Sequence, residues 1–75
     1  MNPENSARAE RALFALRSYL RAKGEGFVHE DLDADITDLL ADLRHLCEAH
    51  ELCFGDLDRT AYAYYSAERG AGGAP

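Results

Sequence analysis

Apolar residues recur along the chain at three- and four-residue steps, the period of an α-helix, and no stretch alternates long enough to suggest a paired sheet. In the first run Ala9, Ala12, Leu13, Leu16, Tyr19 and Leu20 share one face of a helical wheel. Asn2 is placed to cap this helix, and Pro3 suits its first position because the N–H that proline lacks would be unpaired there anyway. The run is expected to end near Lys23, with Gly24 as the stop. The second run, "ITDLLADLRHLCEAH", has the clearest period, with Asp33 or Asp35 as its expected cap. Ile36, Leu39, Leu40, Leu43, Leu46, Cys47 and His50 cover roughly 120° of arc, broad enough to touch two neighbours, so this helix is expected at the centre. A third helix is expected over residues 56–69, with Leu57, Ala61, Tyr64 and Tyr65 inward and Gly70 ending it.

Phe27, Val28 and Leu32, in the segment joining the first two helices, are expected to fold back over the core. A lone strand there would have no partner. The pattern therefore predicts an all-α domain, a small three-helix bundle over residues 1–69, followed by a flexible Gly-rich tail over 70–75. No internal repeat is visible.

Length changes the picture first. Seventy-five residues make one core, and a chain this short buries only about 60% of its unfolded surface, so self-association is a natural source of extra stability. No apolar run nears the ~20 residues needed to cross a bilayer, and the N-terminal stretch lacks the pattern of a secretory signal. The expected location is the cytoplasm, where Cys47 and Cys53 would be free thiols.

Charge changes it further. The formal net charge is −6. Residues 1–24 hold five bases and two acids, net +3, while residues 25–75 hold three bases and twelve acids, net −9. Direct nucleic-acid binding is disfavoured, since phosphate contact needs positive surface. A protein partner with a basic surface, or the basic segment of a sister chain in a homodimer, is favoured.

Candidate chemistry is sparse. "HLCEAHELC" places two cysteines, two histidines and two glutamates within residues 45–53. Cys47 and His50 project from the leucine face, His45 points roughly the other way, and Cys53 falls at or past the helix end, so a closed four-ligand zinc site is not expected. "HELCF" has phenylalanine where a zincin needs its second histidine. Core packing of Cys47 outweighs metal or redox chemistry, which stands as a minor alternative using Cys47 and His50. "DLDADITDLLAD" copies part of a calcium loop at Asp31, Asp33, Asp35 and Asp42, but Ile36 occupies the place that needs glycine. The same acids suit a helix start, near the positive end of the dipole. No metal, cofactor or catalytic constellation is expected, and the chain reads as a non-enzyme.

Two surfaces remain for binding. Asp35, Asp38 and Asp42 are expected as an outward stripe on the second helix, joined by Asp31, within a span from Glu25 to Asp42 that has seven acids and no base. Carboxylates one helical turn apart rise ~4.5–6 Å, comparable to phosphates along a strand, so the stripe could act as a phosphate decoy; a merely solvated face is the competing reading. On the first helix Phe14 lies among Arg17 and Arg21, the composition of an interface hot spot, unless the "FVHEDLD" loop covers it. Tyr62 projects beyond the inner face of the third helix and suits an interface rim.

Over residues 36–68, "ITDLLADLRHLCEAHELCFGDLDRTAYAYYSAE", the chain resembles short uncharacterised helical proteins of bacterial mobile elements and phages. Those proteins share an "ITDLL-DL-H" helix, a short turn and a second helix ending near "HY-AE"; here Tyr64 stands where the histidine would be. The resemblance implies a mobile-element origin and no functional residues. By analogy with small acidic anti-CRISPR inhibitors, it suggests a protein that blocks host nucleic-acid machinery. The leading expectation is thus a non-catalytic inhibitor or adaptor docking its acidic helix on a basic, nucleic-acid-binding protein surface. The alternative is a self-associating cytosolic adaptor of housekeeping role, with Phe14 and the arginines of one chain against the acidic helix of another.

Overall fold

The computed structural model describes residues 1–73. They form three helices, α1 (Pro3–Ala22), α2 (Leu32–Ala49) and α3 (Phe54–Gly73), with a single 3₁₀ turn, His29–Asp31, leading into α2. No strand occurs among the described residues, and the class is all-α. No helix is long and apolar enough to cross a membrane.

The start of α1 follows its sequence. The Asn2 side chain accepts from the Asn5 N–H at 2.6 Å, and Pro3 occupies the first turn. Its end is a Schellman closure: Glu25 N–H donates to the Leu20 carbonyl and Gly24 N–H to that of Arg21, with Gly24 at φ +77°. The same closure ends α2. There Leu52 N–H donates to the Cys47 carbonyl and Glu51 N–H to that of Glu48. The left-handed position is held not by glycine but by Glu51, at φ +58°. Three residues later, at Phe54, α3 begins.

Some boundaries differ from expectation. Neither Asp33 nor Asp35 caps α2: the helix grows out of the 3₁₀ turn, so its first N–H groups already have a preceding helical segment, and Asp33 accepts instead from the adjacent Ala34 N–H. Helix α3 does not stop at Gly70 but runs to Gly73. Glycine lowers helix stability by about 1 kcal/mol yet keeps its N–H, so it need not terminate a helix. The tail expected to be flexible is therefore helical through residue 73, and the rest of that expectation lies outside the described residues.

Packing is concentrated in one place. Leu16 and Leu20 are 3% and 1% exposed, and with half-buried Leu13, Tyr19, Phe27, Leu32 and Leu39 they form the seam of an antiparallel α1–α2 hairpin. Beyond that seam the molecule opens. It measures 42 × 32 × 15 Å. Three 20-residue helices side by side would reach about 30 Å along the axis and only ~15 Å across in either direction, given 1.5 Å rise and 8–10 Å between axes. The second dimension is twice that, so the three helices do not pack as parallel rods around one axis. The expected inner face of α3 is accordingly not inner: Leu57, Tyr64 and Tyr65 are all about half exposed or more. The broad leucine face of α2 fares similarly. Of its expected members Cys47 is buried and Leu39 half-buried, while Ile36, Leu40, Leu43, Leu46 and His50 lie at the surface.

Candidate functional site

Of the three acids expected as an outward stripe on α2, Asp35 departs from it, at only 8% exposed, while Asp38 and Asp42 are exposed as expected and meet α1 side chains at the surface. The Tyr19 hydroxyl donates to Asp42 Oδ2, and Lys23 Nζ stands 3.5 Å from Asp38 Oδ2 and 3.4 Å from Glu25 Oε2. The physical reason is register. In an antiparallel pair, Tyr19 and Lys23, four apart, oppose Asp42 and Asp38, four apart in reverse order, so two adjacent turns match twice. The Tyr19 phenol is held above its ordinary pKa, first by the hydrogen bond to Asp42 and then by partial burial. Burial pulls Lys23 down, but the charges of Glu25, Tyr19 and Asp38 outweigh it and leave the ammonium above its usual value. Lys23 also sits 5.2 Å from the Tyr19 ring centre.

The other expected binding residues stay apart. Phe14 is 72% exposed and uncovered by the 27–33 segment. Arg17 is turned away from carboxylates to lie over the Phe27 ring at 4.7 Å, and Arg21 is exposed. Asp31 sits in the 3₁₀ turn, also exposed. Tyr62 is exposed on α3, its ring 6.1 Å from that of Tyr65 and tilted by 48°. The structure thus gathers Asp38 and Asp42 around α1 residues, and leaves Phe14, Asp31 and Tyr62 on separate surfaces.

What the sequence reading did not identify is how α3 is held. At its start the Arg44 guanidinium covers the Phe54 ring at 4.4 Å. Near its far end Arg8 Nε meets Glu68 Oε2 at 3.3 Å, and Asn5 Nδ2 donates to the Glu68 carbonyl at 3.3 Å. Among residues 54–70 of α3, Phe54 and Glu68 are the least exposed. Helical spacing puts Leu57, Ala61 and Tyr65 on the same side as these two anchors, yet Leu57 and Tyr65 remain about half exposed. Helix α3 is therefore fastened at both ends and unpacked between. On α2, Ile36, Leu40 and Leu43 continue toward buried Cys47 at i, i+4, i+7 and i+11, and only the last of the four is covered.

These open faces form the candidate site. Among the described residues no group of three or more His, Cys, Asp or Glu side chains is placed to hold a metal ion. Cys47 and Cys53 are both free thiols, one buried and one exposed. A shallow depression lined by His29, Glu30, Leu32, Asp33 and Ile36 borders the α2 face and is open to solvent. No protein-family model matches the chain, and no curated protein or solved structure is significantly similar to it.

Proposed function

We propose that this chain is a non-catalytic protein-binding module whose working surface is the uncovered apolar face of α2 and α3. The observation that carries the reading is the exposure of Ile36, Leu40, Leu43, Leu46 and Leu57, with Leu46 at 54%. Monomeric proteins rarely leave so many large aliphatic and aromatic side chains together in water, and contiguous patches of this kind mark interaction sites. A helix laid along α2 would bury the Ile36–Leu40–Leu43 line, the spacing used when an amphipathic helix enters a groove.

The inhibitor reading, a mobile-element product that occupies a basic nucleic-acid-binding surface, draws support from the net −9 of residues 25–75. Its chemistry moves along the chain, however. Asp38 and Asp42 are engaged with α1, so Glu30, Asp31 and Asp33 at the start of α2 are the acids free to meet a basic partner. Affinity capture from a lysate, using a tagged chain co-expressed with an untagged copy, separates the two readings. A bound protein, whether foreign or the untagged copy, is expected to be lost with Leu40→Asp/Leu46→Asp. Loss with Asp31→Lys/Asp33→Lys instead, together with elution by salt, would shift the site to the acids. Retention of no protein by the unaltered chain would overturn the module reading.

A further inference from the structure

We infer that the occupant of this surface is a second copy of the chain, docked through α2 and α3 as a two-fold symmetric dimer. This rests on the protein-binding reading above and names its partner.

The first argument is area. A compact monomer of 8.3 kDa is expected to expose about 4,600 Å² and to have a radius of gyration near ~11 Å. This chain exposes 6065 Å² with a radius of 14.3 Å. The surplus is more than ~1,000 Å² per chain, so two copies covering it would bury roughly 2,000 Å² or more in total, where obligate homodimer interfaces begin. A chain of 75 residues with so few buried side chains also has little other means of stabilising itself.

The second argument is composition of the face. It is rich in Leu, Ile and Tyr, with Tyr64 and Tyr65 beside Leu57 on α3, and such apolar, aromatic surface is characteristic of homodimer interfaces more than of transient ones. The half-exposed Leu57 and Tyr65, between the Phe54 and Glu68 anchors, offer one copy an apolar surface against which the α2 line of another can lie. Two-fold symmetry then covers both surfaces with one contact used twice.

The third argument is charge. Among the described residues Arg11, Arg17 and Arg21 on α1 make no ion pair, while Glu30, Asp31 and Asp33 are equally free. Each chain therefore carries bases on α1 and acids at the start of α2 that make no ion pair within it, opposite charges that a second copy can pair and a uniformly basic partner cannot.

Sedimentation velocity and light scattering of the purified chain test the inference. Twice the chain mass is expected at about 10 µM, with dissociation only on further dilution. Leu40→Asp and Tyr64→Ser alter side chains that are exposed in the single chain, so helix content by circular dichroism should persist while self-affinity falls at least about tenfold. A monomer at about 100 µM overturns the second-copy inference, even where lysate capture still recovers a foreign protein. A dimer whose affinity neither substitution changes also overturns it, since the contact would then lie elsewhere. If both variants lose helix, exchange protection of the Ile36–Leu43 amides in the unaltered chain decides. Protection that weakens on dilution supports the dimer, and concentration-independent protection refutes it.

Discussion

Helices α1 and α3 are each 20 residues long, and both carry large apolar residues, three leucines with Tyr19 in α1 and Leu57 with three tyrosines in α3. Helix α1 buries Leu16 and Leu20 against α2 and is latched to it by Tyr19 and Lys23. Among its described residues helix α3 buries nothing completely; a cation–ring contact at one end and an ion pair at the other hold it in place. The contrast teaches that spacing decides which face of a helix is available for burial, not whether the chain contains something to bury it against. In α1 the demand is met internally. In α3 it is left standing, and the proposed second copy is what would meet it.

The sharpest way to break this comparison is to truncate matched leucines. Leu20→Ala removes a fully enclosed side chain and should cost about 2–5 kcal/mol in urea or thermal unfolding. Leu57→Ala, measured dilute enough to keep chains apart, should stay within about 0.5 kcal/mol. Equal costs would mean that α3 belongs to the core after all. Next in size is the far anchor of α3. Arg8→Ala removes an ion pair whose partners are both more than a third exposed, so the loss should be under about 1 kcal/mol. It should appear as faster amide exchange in the last turns of α3, with α1 unchanged; a global change would tie the two helices together more closely than their contacts imply.

The smallest effect concerns pH and sharpens the hairpin side. Tyr19 and Lys23 both have pKa values raised on folding, Tyr19 chiefly by its bond to Asp42, Lys23 by neighbouring charges that outweigh burial. A group raised in this way lends stability in full below its unfolded pKa, and that stability fades as pH climbs through the folded value. The α1–α2 latch should therefore be insensitive to pH near neutrality and loosen only in alkali, above about pH 10. Tyr19→Phe should flatten that alkaline limb when helix content is followed against pH.

Much of the fold was legible in the residues. Asn2, Pro3 and Gly24 bracket α1 as their chemistry requires, and the all-α class follows from periodicity. The end of α2 was only approximately legible, because the left-handed position that glycine usually marks is held by Glu51. The pairing of the candidate acids was illegible for a different reason. A helical wheel assigns the leucines inward and the aspartates outward when a helix is considered alone. The pairing of Asp38 and Asp42 with Lys23 and Tyr19 shows only when two helices are set antiparallel and compared turn by turn. Exposure of Leu46, Leu57 and Tyr64 was illegible in principle, since the pattern of a core helix and that of an interface helix are the same.

The Glu51 turn has a further consequence. A residue other than glycine in the left-handed region costs on the order of 1 kcal/mol, and two main-chain hydrogen bonds hold it there. The heading of α3 is thus written into torsion angles at its root and not merely into the side chains along its length, so the arm stands cocked before anything arrives. In the proposed dimer, a helix already aimed would surrender little freedom on docking, so its ordering would add little to the entropic cost of assembly.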